Sequence, residues 1–106
     1  MKIASWNVNS LKVRLPQVLD WLAEQAPDIL GLQELKLTDD MFPVEAFQRV
    51  GYHACYSGQK TYNGVALLSK TQPENVQIQM PNFPDPQQRV IAASYQDIRC
   101  INLYVP

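Results

Sequence analysis

The sequence shows no excess of charge of either sign. Nine Lys and Arg stand against ten Asp and Glu, for a net charge of −1. A domain that holds nucleic acid by its overall field usually carries a strong basic surplus. Field-driven binding is therefore excluded, and any phosphate must be met by individually placed Lys and Arg or through a metal. Cysteine occurs only at Cys55 and Cys100, with no CxxC and no metal-ligand spacing. Two lone cysteines inside apparent strands read as reduced core residues. No apolar run reaches the length of a membrane-spanning helix, and MKIASWNVNS lacks the apolar core of a signal peptide. No membrane contact and a cytoplasmic location are the expectation. Repeats and low-complexity tracts are absent, and 106 residues leave room for one domain at most.

What is present reads as a βαβ start followed by a meander. KIASWN forms a first strand. SLKVRLPQVLDWLAEQAPD has Leu15, Val18, Leu19, Leu22 and Ala26 at helical spacing, with Pro16 suited to its first turn and Pro27 just past its end. DILGLQE is a second strand, parallel to the first if the helix crosses over between them. TDDMFPVEAFQRVG holds a short helix that Gly51 stops. YHACYS and VALLSK flank the turn GQKTYNG as a hairpin, VQIQM offers a further strand, and PNFPDPQQ, with three of the eight prolines, is loop. RVIAASYQ and RCINLYV make a second hairpin.

VALL, VIAA and Ile101–Val105 are almost continuously apolar, unlike strands with one wet face. Read as one sheet, they want cover on both faces, and the two helices supply it for one. A longer chain, a dimer, or strands that alternate more than they first suggest would each answer this.

Two strands end in polar groups, Asn7 in SWNVNS and Glu34 in LQELK. If they are parallel neighbours, these ends lie side by side, on the edge where open α/β sheets place ligands. A carboxylate beside a carboxamide suits a hard cation such as magnesium. On pattern alone, Glu34 pairing with Lys36 and Asn7 shaping a turn is the commoner arrangement.

The stretches MKIASWNVNSLKVRLPQ, PDILGLQELKLTDDMFP, GYHACYSGQK, YNGVALLSK, QRVIAA and INLYVP resemble, in order and spacing, the N-terminal part of exonuclease III and the abasic-site endonucleases, with DDMFP closest to the bacterial branch. The resemblance implies the fold of the wider endonuclease/exonuclease/phosphatase group, a four-layered α/β/β/α sandwich. Residues 1–106 would then be the N-terminal half of that domain, α/β (α+β) in class, with one mixed sheet carrying helices on one face.

By the same resemblance, Glu34 matches a metal-binding glutamate for magnesium or manganese. Asn7 matches an asparagine that supports the metal and the scissile phosphate, and Asn9 falls where some relatives carry an aspartate. Tyr104 matches a tyrosine whose hydroxyl reaches that phosphate; read without the family, it is a core aromatic. Tyr62, Asn63 and Gly64 lie in the turn that approaches the DNA backbone in relatives, and taken alone are good turn residues; Arg89, opening the RVIAA strand, is either a phosphate contact or an ordinary strand-end cation. The later motifs of the family, an Asp, an Asn and an Asp–His pair, have no match here, and His53 is a surface or packing residue. The implied activity is metal-dependent hydrolysis of DNA at abasic sites and 3′ ends of duplexes, in base-excision repair. The alternatives are another phosphoesterase of the same group or a non-catalytic binding fragment. The parent is expected to be a monomer, and the 106 residues alone to self-associate and lack activity.

Overall fold

The computed structural model describes residues 1–78 and 88–105, and the βαβ start is its first feature. Strands β1 (Ile3–Asn7) and β2 (Ile29–Gln33) run parallel, Ile3 beside Ile29 and Asn7 beside Gln33. Helix α1 (Leu11–Gln25) joins them and buries Leu11, Val18 and Leu22. The helix begins earlier than Pro16 suggests, so the proline falls in its second turn. Its ring nitrogen cannot donate to the Lys12 carbonyl, a defect the helix absorbs. The early start has a cause outside the helix: Ser10 and Leu11 N–H groups donate to Glu34 O and Leu35 O at 2.8 and 3.0 Å, which satisfies amides a helix start otherwise leaves open.

A 3₁₀ turn at Asp39–Met41 leads into α2 (Val44–Arg49), and Gly51 follows at φ 89° as the expected stop. β3 (His53–Ser57) and β4 (Val65–Ser69) form the first hairpin. β4 also pairs antiparallel with β2, so the first sheet is mixed, in the order β1-β2-β4-β3. Both helices lie on one face of it. There Val18, Leu22, Leu30, Leu32, Phe47 and Leu68 form a closed core, each contributing about 2 kcal/mol by burial.

The other face corrects one expectation. VALL, VIAA and INLYV do not share a sheet with a bare side. VALL is β4, whereas β6 (Val90–Tyr95) and β7 (Ile98–Leu103) join β5 (Glu74–Gln77) in a separate antiparallel sheet, ordered β5-β6-β7. This second sheet packs on the first: Ile29, Cys55, Val65 and Leu67 meet Ile91, Ala93 and Tyr95. Continuous apolarity reported correctly that these strands are covered, but not by what. The bare apolar surface lies further out, at Ile101 and Leu103 on the outer side of β7 and at Ile3 on the edge strand β1, all more than half exposed. The layers are thus helices, mixed sheet and second sheet, an α/β sandwich with helices on one face of its mixed sheet.

Cys55 and Cys100 are free thiols. Burial pushes both up from the ordinary thiol range, so they stay protonated and weakly nucleophilic. Most of the proline-rich stretch, residues 81–87, lies outside the described residues. Among the described residues, no helix is long and apolar enough to cross a membrane.

Candidate active site

Strands β1, β2 and β3 all end at one edge of the first sheet, where β4 begins. Asn7 is beside Gln33, and Gln33 and Ser57 are both beside Val65. Backbone hydrogen bonds continue the ladder through the loops beyond. Val8 N–H donates to Gln33 O at 3.0 Å, while Leu35 and Lys36 N–H donate to Gly64 O and Asn63 O at 3.2 and 3.0 Å. Gly64 N–H donates to Gln88 O at 2.8 Å, and Tyr104 N–H to Arg89 O at 2.9 Å. Each bond is ordinary. Together they bring Asn7, Glu34, Asn63, Gly64, Arg89 and Tyr104 to one rim spanning both sheets.

The rim is also where the backbone is strained. Of nine non-glycine residues at positive φ among the described residues, six lie here: Asn9, Ser10, Glu34, Lys36, Thr61 and Asn63. A left-handed backbone costs an ordinary L-residue about 1 kcal/mol, and such residues gather at functional sites where the surroundings hold them. Glu34, at φ 57°, turns the chain out of the strand direction directly after β2. It is half-buried, just past the wholly buried β2.

Lys36 meets Glu34, as the plainer expectation has it, but loosely. Lys36 Nζ lies 3.8 Å from Glu34 Oε1, an ion-pair separation too long for a hydrogen bond. The same Nζ donates to Asn9 Oδ1 at 2.5 Å, and Asn9 N–H donates to Asn7 Oδ1 at 3.1 Å. The lysine is therefore held by Asn9, and the Glu34 carboxylate keeps acceptor capacity toward solvent. With Asn9 Oδ1 taken up by the Lys36 ammonium, the Glu34 carboxylate and the Asn7 carboxamide are the oxygen donors left at this edge, with one full negative charge. That matches a magnesium-type ion, which takes one or two carboxylates and retains waters. Among the described residues no group of three His, Cys, Asp or Glu could hold a metal, so a thiolate or imidazole site is not what this edge offers.

The turn between β3 and β4 stands over the rim. Tyr62 is exposed and Asn63 buried. Gly64 has φ 89°, and a Cβ there would lie 2.9 Å from Leu35 Cβ, so the turn can close on the Glu34 loop only with glycine. Asn63 Nδ2 and Gln88 N–H both donate to Gln59 Oε1, at 3.2 and 2.9 Å, which ties the turn to the approach of β6. Tyr104 packs its ring against the inter-sheet core while remaining half-exposed. Beside Lys36 opens a groove of about 570 Å³, floored by Leu11, Leu15 and Leu37 and edged by Lys12, Lys36 and Lys60. His53 is exposed at the start of β3, paired with Ser69, which itself pairs with Ile29 at the opposite end of the sheet from Glu34.

Sequence reading missed Gln33 and Asn102, both buried directly beneath the rim and hydrogen-bonded to each other. The available signal was a second polar residue, Gln33, inside the apolar run that made Glu34 conspicuous.

A family profile described as Endonuclease/Exonuclease/phosphatase family matches residues 4–106. Exodeoxyribonuclease III of Haemophilus influenzae is 38% identical over 111 residues, covering 100% of this chain and 42% of that protein. The solved 3′ phosphatase NExo from Neisseria, bound to a product DNA hairpin, superposes with a TM-score of 0.95 at 58% identity, over 98% of this chain and 41% of its own. An AP endonuclease from Archaeoglobus fulgidus superposes with a TM-score of 0.95 at 45% identity, over 100% of this chain and 41% of its own. The chain thus spans about two fifths of the length of these relatives.

Proposed function

Since the chain belongs to the endonuclease/exonuclease/phosphatase family, we propose that its rim is the N-terminal share of an active site that hydrolyses phosphodiesters in DNA. The carrying observation is the convergence of Asn7 and Glu34, at the ends of adjacent parallel strands, with Tyr104, which directly follows the last strand of the second sheet. No single secondary-structure element unites them; the backbone ladder across the loops does.

Glu34, with the Asn7 carboxamide beside it, would hold magnesium or manganese, which supplies positive charge to a phosphate oxygen and to the departing oxygen. The residues themselves do the rest of what this chain contributes. Asn7 Nδ2 and the Tyr104 hydroxyl donate to non-bridging phosphate oxygens as negative charge builds on them, each worth roughly 2–4 kcal/mol in the transition state. Tyr62, Asn63 and Gly64, on a turn fixed to the Glu34 loop, and Arg89 at the foot of β6, meet the DNA backbone on either side. Lys12 and Lys60 in the adjoining groove add local attraction for phosphates, so the net charge of −1 is no obstacle. The Asp that handles the proton of the attacking water, with the Asn and the Asp–His pair, belongs to the part of the domain that follows in the family.

The substrates of this reading are duplex DNA with an abasic site, cut on its 5′ side, and 3′ ends that need trimming. It makes the parent a base-excision repair enzyme, monomeric and cytoplasmic. Assay of the full-length protein on an abasic duplex and on an inositol phosphate tests it. Magnesium-dependent incision 5′ to the abasic site, with the inositol phosphate untouched, is expected. The opposite preference would assign the same Glu34 and Asn7 to a different phosphoesterase of the family.

A further inference from the structure

Beneath the rim, the two sheets are joined by a buried polar cross-link. Asn102, on the inward face of β7, is 6% exposed. Its Nδ2 donates to Leu32 O at 2.8 Å and to Ala66 O at 2.7 Å, carbonyls of adjacent strands in the other sheet. Its Oδ1 accepts from Gln33 Nε2 at 2.7 Å. Gln33 Nε2 also donates to Ser5 Oγ at 3.0 Å, so the link runs from β7 through β2 to β1. Gly31 makes room for it: a Cβ there would lie 3.1 Å from Asn102 Cγ.

The neighbouring inter-sheet layer is Ile29, Val65, Leu67 and Ile91, so an apolar residue would suit this place for packing alone. Register shows what an amide adds. Gln33 directly precedes Glu34. Asn102 is the last inward residue of β7, and Tyr104, just past the strand end, follows it against the same inter-sheet core, roughly 7 Å further along an extended chain. The cross-link therefore fastens the residue before Glu34 to the inward residue before Tyr104. Apolar contacts between stacked sheets have no direction and tolerate sliding, whereas three hydrogen bonds from one amide fix a position.

We propose that Asn102 is a positioning residue, which through Gln33 sets the separation of Glu34 from Tyr104 and so the place of the phosphate between them. This rests on the roles given to Glu34 and Tyr104 above.

In the full-length protein, Asn102→Ala should lower kcat on an abasic duplex by on the order of 10²-fold, as displacements of about 1 Å do, with little change in KM. A double-mutant cycle decides between positioning and mere stability. In a Tyr104→Phe background the phosphate hydroxyl is already gone, so Asn102→Ala should cost roughly tenfold less than it does in the wild type. If the kcat of folded Asn102→Ala stays normal while only its melting temperature falls, or if the two substitutions multiply independently, the proposal is overturned. Should Asn102→Ala fail to fold, Gln33→Met removes the link to Asn102 and Ser5 but leaves the Asn102 grip on both carbonyls. It should show a smaller kcat fall with the same dependence on Tyr104, and an unchanged kcat would refute the proposal. Wild-type incision is the control. An inert wild type defeats the functional reading and this inference with it, while an active one with independent effects defeats this inference alone.

Discussion

Glu34→Gln in the full-length protein is expected to lower turnover on an abasic duplex by at least about 10²-fold, with the fold intact. The amide matches the carboxylate in shape, so the φ of 57° and the contacts around β2 are kept. Only charge is lost. At an effective dielectric near 20, a unit charge pair 4 Å apart is worth about 4 kcal/mol, and a divalent ion gains more. The loss of the Lys36 ion pair matters little by comparison. At 3.8 Å and partly exposed, it is worth under about 1 kcal/mol, and Lys36 remains anchored by Asn9. Steady-state kinetics across a magnesium titration, with a melting curve alongside, separates the two effects. Near-normal turnover at saturating magnesium would remove Glu34 from the metal site.

The 106 residues expressed alone should show no measurable incision and should bind a hydrophobic dye or self-associate. Both outcomes follow from the same geometry. The rim brings Glu34, Asn7 and Tyr104 together but offers no Asp–His pair, since His53 sits at the far end of the sheet. Meanwhile Ile3, Ile101, Leu103 and Val105 are 51–75% exposed, and Val76 and Ile78 add to them on the side of β5. At roughly 25 cal/mol per Å², covering several hundred square ångströms of such surface is worth a large part of a small domain's whole stability of about 5–15 kcal/mol. Analytical ultracentrifugation with an abasic-site cleavage assay measures both. A well-behaved monomer that cuts DNA unaided would contradict the division of labour proposed for the site.

Much of this architecture was legible in the sequence, for identifiable reasons. The βαβ start follows from helical spacing in α1 between two short apolar runs, and both hairpins follow from their turns. Asn7 and Glu34 stood out because polar residues closing apolar strands ask for a partner. The placement of Pro16 was not legible, because the amides of Ser10 and Leu11 are satisfied by carbonyls of the Glu34 loop rather than by anything nearby in sequence. Nor was the division of strands between sheets, since an apolar strand records that it is covered and not by which neighbour. Tyr104 is the instructive case. Its ring does pack in the core, so the residue-level reading as a core aromatic describes its ring correctly, and only the family resemblance points to its hydroxyl. The Gln33–Asn102 bond joins residues 69 positions apart, and no local pattern announces it.

The most direct measurement is the anomalous scattering of manganese in crystals of the full-length protein with an incised abasic duplex. The account predicts a peak within direct coordination distance of a Glu34 oxygen, and the cleaved phosphate within hydrogen-bond reach of both Asn7 and Tyr104. A peak away from Glu34, or Glu34 closed onto Lys36 while the DNA lies elsewhere, would contradict it.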